Sequence, residues 1–350
     1  MKTQNFDIKN LIRPNVAKMK PYSSARDEFK DFKEDMIFLD ANENPFENGV
    51  NRYPDPRQVT LKSHLSTLKR VPEKQILFGN GSDEVLDLIF RAFCEPRQDN
   101  VITLPPTYGM YAVLAETNDV GNKEVLLNND FEPNIDAVLN AVDAQTKLIF
   151  LCSPNNPTGN RFSDLAVKKL LENFNGLVVI DEAYADFCSA ESWSARLHEY
   201  PNLIVTQTLS KAYGMAGIRL GICFASEEII EVLHTIKPPY NVNGLTQKKA
   251  LKRVMDESGV QKEIKTILEE REKLQKTLKN VSFVAKIYPS EANFLLARVD
   301  DADKRYNQLL ARGIVVRNRS KQPLCKNTLR FTVGTPEENK KLIEILNGLV

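Results

Sequence analysis

The chain has 350 residues, 42% of them hydrophobic and 27% charged, with 47 Lys plus Arg against 46 Asp plus Glu and a formal net charge of +1. That size suits two unequal domains better than one core, and the composition is that of a soluble globular protein. The balanced charge excludes a general attraction to nucleic acid or anionic membrane, so any anion site must be local.

No apolar run reaches the roughly 18 residues that span a bilayer, and residues 1–7 lack the apolar core of a secretion signal. Five scattered cysteines without CxxC spacing read as reduced thiols of a cytoplasmic protein, and three histidines argue against a metal site.

Residues 1–40 are polar and mixed in charge, with a helix-compatible piece over 23–32. Residues 39–46 read as a short strand that breaks into a turn. Arg52-Tyr53-Pro54-Asp55-Pro56 is expected to be extended, because residues before proline avoid the helical region, and 60–69 forms an amphipathic helix. The apolar run Ile76-Leu77-Phe78 ends in Gly79-Asn80-Gly81-Ser82 and leads into a helix over 83–93 with an apolar face. A strand, a Gly-rich turn and a helix start point backbone N–H groups and a positive dipole end at an anion. Ser82 suits that role or that of a plain N-cap. Asp83 and Glu84 would repel a phosphate unless turned away.

Further strand-like runs lie at 101–104, 124–127, 148–152, 177–180, 203–205 and 220–224, with helical pieces near 108–117, 135–142 and 163–173. Apolar strands alternating with helices predict a largely parallel sheet covered on both faces, with ligands at the carboxyl ends of its strands. Five loops fall at that edge: Gly81-Ser82, Pro105 to Tyr108, Ser153 to Gly159, Asp181 to Tyr184, and Ser210-Lys211. After Asn243 the texture changes. A long charged helical region covers 246–280, interrupted near Ser258-Gly259, and strands follow at 294–297, 314–316 and 329–333 around a helix near 303–311. Thr335-Pro336-Glu337-Glu338 is a capping box opening the last helix. The expected fold is α/β: an N-terminal arm (1–40) packing with the small domain, a large domain with a mostly parallel sheet (41–245), and a smaller α+β domain (246–350).

The chemistry centres on Lys211. An uncharged lysine amine forms a Schiff base with an aldehyde. If that aldehyde belongs to a phosphorylated cofactor, Thr208, Ser210 and Arg219 supply hydroxyl donors and a permanent positive charge for its phosphate. Asp181 ends a strand and fits either a turn cap or a buried acid that holds a proton on a ring nitrogen. Tyr184 and the Asn156 amide could donate to a ring oxygen. Tyr108 could stack on a ring or simply join the core.

Together, Gly79-Asn80-Gly81-Ser82-Asp83-Glu84, Ser153-Pro154-Asn155-Asn156-Pro157-Thr158-Gly159, Asp181-Glu182-Ala183-Tyr184, and Thr208-Leu209-Ser210-Lys211 through Gly217-Ile218-Arg219-Leu220-Gly221 resemble the class I/II pyridoxal-phosphate aminotransferases of fold type I. Leu39-Asp40-Ala41-Asn42-Glu43-Asn44-Pro45, Asn51-Arg52-Tyr53-Pro54-Asp55, Pro105-Pro106-Thr107-Tyr108-Gly109-Met110-Tyr111 and Leu329-Arg330-Phe331-Thr332-Val333-Gly334 resemble the branch of that family that acts on histidinol phosphate.

The resemblance implies pyridoxal 5'-phosphate as cofactor. Lys211 would carry it and shuttle a proton, Asp181 would pair with its ring nitrogen, and Asn156 and Tyr184 would bind its ring oxygen. Gly81, Ser82, Thr208, Ser210 and Arg219 would hold its phosphate. Tyr53 would reach a partner subunit's site in a homodimer. Arg330 and Arg317 would bind substrate, and Tyr22 would cover the site. Arg319 reads as strand-edge surface charge. The implied substrates are histidinol phosphate and glutamate or 2-oxoglutarate, in histidine biosynthesis. Alternatives are an aromatic-amino-acid aminotransferase, a threonine-phosphate decarboxylase, or a non-catalytic module that kept the fold.

Overall fold

The protein is described by a computed structural model covering residues 6–20 and 37–349. Its larger sheet comprises β1 (Ile76–Asn80), β2 (Asn100–Thr103), β3 (Gly121–Glu124), β4 (Thr146–Cys152), β5 (Leu177–Asp181), β6 (Leu203–Thr208) and β7 (Leu220–Phe224), in the order β1-β7-β6-β5-β4-β2-β3. Only β7 runs against its neighbours. The reversal matters, because the residues that precede β7 arrive at the edge where the other strands end. Arg219, immediately before β7, is thereby delivered to the carboxyl edge of the sheet.

Alternate residues of each central strand feed opposite cores. Ile149, Leu151, Val178 and Ile180 join one cluster, and Leu148, Phe150, Leu177 and Val179 the other. That is why these strands read as unbroken apolar runs. On the described arm, α1 is Pro14–Ala17. Helices α2 (Val59–Lys69), α3 (Ser82–Phe93), α4 (Met110–Thr117), α5 (Ile135–Asn140), α6 (Asp164–Asn173) and α7 (Glu227–Ile236) follow. Of these, α2 and α6 cover the first face of the sheet, whereas α3, α4 and α7 cover the second.

Next come α8 (Gly244–Val254) and α9 (Glu257–Leu278). The charged helical region is interrupted as expected, but at Met255-Asp256 rather than Ser258-Gly259. The Asp256 side chain accepts from the Gly259 N–H at 3.2 Å and starts a new helix there. Helix α9 passes from one core to another: Val260 and Ile264 pack with the large sheet, Leu274 and Leu278 with a separate cluster. That cluster lies under an antiparallel sheet of β8 (Val284–Ile287), β9 (Phe294–Val299), β10 (Arg317–Asn318) and β11 (Thr328–Thr332), in the order β10-β11-β9-β8. Helices α10 (Ala302–Ala311) and α11 (Pro336–Asn347) complete it, and α11 opens with the expected Thr335–Glu338 capping box.

Several expectations shift. No strand forms over 39–46, because the Asn44 and Asn48 side chains accept from the Phe46 and Val50 N–H groups and keep the segment in local turns. The expected strand at 124–127 lies earlier, as the polar edge strand β3. The strand expected over 314–316 is confined to Arg317–Asn318, and Val315 is exposed. The described part of the arm lies on the large body rather than the small sheet. Ile8 is buried in the core shared by α3 and α7, the Arg13 N–H donates to the Ala92 carbonyl at 3.0 Å, and its Nε bonds Glu95 at 3.2 Å.

Candidate active site

At the carboxyl edge of the large sheet, where the small sheet leans over it, lies a cavity of about 300 Å³. Ser82, Tyr108, Asn156, Asp181, Tyr184, Thr208, Ser210, Lys211, Arg219, Arg317 and Arg330 all line it. Eleven positions singled out in sequence thus meet in one place although they span most of the chain. Tyr53 is not among them: it is half exposed, stacked on Tyr240 at 4.5 Å, and lines a different cavity. Tyr22 lies outside the described residues.

One wall is a cup for an anion. Gly81, with φ 82°, takes the cap position of α3, so Ser82 is the first helical residue rather than its N-cap. A Cβ on Gly81 would stand 2.5 Å from Arg219 Nη2, and one on Gly221 2.4 Å from the Gly81 backbone. Glycine is what lets the turn, β7 and the guanidinium close on one small volume. Thr208 Oγ1 donates to Ser210 Oγ at 3.0 Å and accepts from the Ser210 N–H at 3.1 Å. Glu84 is turned away, its carboxylate accepting from the Asn80 N–H at 2.5 Å and from Asn241 at 2.7 Å. Asp83 is not: Oδ2 pairs with Arg219 Nη2 at 3.2 Å and Oδ1 accepts from the Tyr108 hydroxyl at 3.1 Å.

Asp181 forms the floor. It is buried at the end of β5, where Oδ2 accepts from the Tyr111 hydroxyl at 2.9 Å and Oδ1 from the Ala183 N–H at 3.2 Å. Burial pushes its carboxyl above the usual range, and these two donors pull against that rise. Tyr184 is also buried, edge-on to Phe294 at 5.2 Å, and burial raises its hydroxyl. The Lys211 Nζ stands 5.8 Å from the Tyr184 ring centre. Burial, then the positive charge of Arg330, hold its amine below lysine's ordinary range. A lysine so placed is more readily uncharged, as attack on a carbonyl requires.

The opposite wall comes from the small sheet. Arg317 and Arg330 are register partners across β10 and β11, and Arg319 follows one turn of the strand later. Arg330 Nη1 donates to Asn156 Oδ1 at 2.5 Å and its guanidinium lies 5.1 Å from the Phe294 ring centre. Burial and then Arg319 push the Arg330 guanidinium down to about 10. Arg319 is half-buried and lines the cavity. The expectation of surface charge is therefore corrected: strand alternation turns residue 319 to the same side as 317. Arg319 and Arg330 each leave a buried Nε without a partner among the described residues.

Tyr111, which bonds Asp181 from behind, is a site residue that the sequence does not single out. Its one local signal is that it is a second tyrosine close to Tyr108, in the segment that leads from the Tyr108 loop into α4.

A lysine, a buried carboxylate and a hydroxyl–arginine cup around one cavity, at the carboxyl edge of a mostly parallel seven-stranded sheet, define a pyridoxal-phosphate enzyme of fold type I. The donor set fits that cofactor: an anion cup that side chains larger than glycine would fill, a dry carboxylate for a ring nitrogen, two donors for a ring oxygen, and an amine for an aldehyde. The aminotransferase class I and II profile matches residues 30–346. The chain is 64% identical over 345 residues to the histidinol-phosphate aminotransferase of Flavobacterium johnsoniae, covering 98% of this chain and 99% of that one. Its fold is similar to the crystal structure of the histidinol-phosphate aminotransferase from Clostridium acetobutylicum, with a TM-score of 0.79, 23% identity, and 86% and 91% of the two chains covered. The Sinorhizobium meliloti histidinol-phosphate aminotransferase in complex with pyridoxal-5'-phosphate gives a TM-score of 0.78 at 22% identity, with 85% and 84% covered. The chain belongs to the class I and II aminotransferases and is a pyridoxal 5'-phosphate-dependent enzyme.

Proposed function

We propose that this aminotransferase transfers an amino group between L-histidinol phosphate and 2-oxoglutarate, with imidazole acetol phosphate and glutamate as the other pair, in histidine biosynthesis. The observation that carries the reading is the wall of Arg317, Arg319 and Arg330 facing Lys211 across one cavity. The two amino donors differ: histidinol phosphate bears a phosphate and no carboxylate, glutamate two carboxylates. A planar guanidinium fork pairs with either anion, so one arginine wall can serve both.

Bound pyridoxal phosphate supplies an electron sink for the carbanion at the substrate Cα. Ser82, Thr208, Ser210 and Arg219 would bind its phosphate, with Gly81 giving room. Asp181 would hold the proton on its ring nitrogen. Tyr184 and the Asn156 amide nitrogen would donate to its ring oxygen, Arg330 occupying the amide oxygen. Tyr108 would lie along the ring face. Lys211, displaced by the substrate amine, would take the proton from Cα and return it at the cofactor's C4′. Arg330 and Arg317 would clamp the substrate anion, and Tyr22 would cover the site.

We further propose a cytoplasmic homodimer, with the chain divided into a large domain (41–245) and a small one (246–350). The outward-facing Tyr53–Tyr240 stack supports a partner on that face, where Tyr53 would enter the second subunit's site. Sedimentation of the holoenzyme at two masses' worth of chain is the expected result; a monomer retaining full activity would remove Tyr53 from the scheme.

The substrate test is the visible spectrum of the purified holoenzyme. Histidinol phosphate and glutamate should each replace the long-wavelength band with a near-ultraviolet one, while phenylalanine leaves it in place. A shift with phenylalanine alone would favour an aromatic aminotransferase. Carbon dioxide release from threonine phosphate would favour the decarboxylase.

A further inference from the structure

Tyr111 is fully buried at the start of α4 and shielded from water on every side. Its ring stacks on Phe150 at 4.9 Å, Phe150 stacks on Phe90 at 5.1 Å, and Tyr108 meets it edge-on at 5.6 Å. A buried phenol needs a hydrogen-bond partner, and this one donates to Asp181 Oδ2 at 2.9 Å across 70 residues of sequence. The other Asp181 oxygen accepts from the Ala183 N–H at 3.2 Å. The shorter of these two bonds thus comes from a ring clamped in an aromatic column that runs into the core. Tyr108, three residues earlier in the loop that leads into α4, donates to Asp83 at the phosphate cup, so this short segment touches both ends of the site.

We propose that Tyr111 is a positioning residue: through its hydroxyl it fixes the orientation of the Asp181 carboxylate against the cofactor ring. The inference rests on the assignment of Asp181 to the ring nitrogen. The hydroxyl keeps the carboxylate in one rotamer, and its donated hydrogen bond favours the ionised form that a protonated ring needs. Packing alone would give a different result, because phenylalanine preserves the stack.

The test is a cycle of wild type, Tyr111→Phe, Asp181→Asn and the double variant. It measures the cofactor dissociation constant of each apoenzyme, kcat and KM for glutamate, and the melting temperature. Tyr111→Phe should melt close to wild type, weaken cofactor binding by about 10- to 100-fold as loss of one hydrogen bond to a charged group does, and lower kcat with KM for glutamate unchanged. In the Asp181→Asn background the same change should have no further effect on cofactor binding, since the two residues act as one unit. Unchanged affinity and kcat in Tyr111→Phe, or an equal further loss in the Asp181→Asn background, would overturn the positioning role. A wild-type apoenzyme that takes up no pyridoxal phosphate would instead overturn the underlying assignment.

Discussion

On the large-sheet side of the cavity, Arg219 is already paired with Asp83 at 3.2 Å, and the hydroxyls of Thr208 and Ser210 bond each other. On the small-sheet side, Arg317, Arg319 and Arg330 crowd together, two of them with a buried Nε that has no partner among the described residues, and burial and mutual repulsion depress Arg319 and Arg330 below arginine's ordinary range. On the first wall Arg219, Thr208 and Ser210 are paired within the protein, and a phosphate entering it exchanges those partners for its own oxygens. The second is frustrated, and an arriving carboxylate or phosphate relieves it. That difference suits a cofactor that stays and substrates that come and go. It can be broken or sharpened by substitution.

Lys211→Ala should have the largest effect, lowering kcat/KM by roughly four orders of magnitude or more, as loss of a covalent catalytic group does. Steady-state turnover with glutamate checks it, and retained transamination would remove Lys211 from the centre of the scheme. Arg330→Ala should lower kcat/KM for both glutamate and histidinol phosphate by about 10²- to 10³-fold, two charge-assisted hydrogen bonds being worth about 3–4 kcal/mol. Loss for one substrate alone would show that the two use separate clamps. Arg219→Ala should behave oppositely, weakening the cofactor by about 10- to 100-fold and leaving the KM for glutamate unchanged in cofactor-saturated enzyme.

The charge of Arg330 also reaches Lys211. A positive neighbour disfavours the ammonium form, so removing it raises the lysine toward its ordinary value. Less free amine is then present near neutral pH. Cofactor uptake by apo Arg330→Ala should be slower there, and the midpoint of its rise with pH should move up. Stopped-flow absorbance reads both, and a midpoint that stays or falls would contradict the coupling. The smallest effect lies outside either wall. Thr335→Ala removes the cap of α11 and should cost about 1 kcal/mol, a melting shift of about two degrees or less, with kinetics unchanged.

Much of this was legible because its causes are local. Runs of apolar residues, a Gly-rich turn before a helix, Thr335 three residues ahead of Glu338, and Lys211 between two hydroxyl residues and an arginine are patterns set by neighbouring side chains and backbone. Where the reading slipped, another local device competed: Asn44 and Asn48 bonding the backbone of a would-be strand, or Asp256 capping a new helix.

From the sequence alone came the α/β alternation, the loops at one sheet edge, the lysine and its phosphate-binding companions. Tertiary structure decided which buried polar groups meet. The reversal of β7 brings Arg219 to the carboxyl edge, and the pairing of β10 with β11 sets Arg317 beside Arg330 and turns Arg319 inward. The column of Phe90, Phe150 and Tyr111 carries a hydroxyl to a carboxylate 70 residues away. Periodicity along a chain reports which face is buried. Which charges face each other across a cavity depends on strand order and register, and those are settled only when the sheets pack.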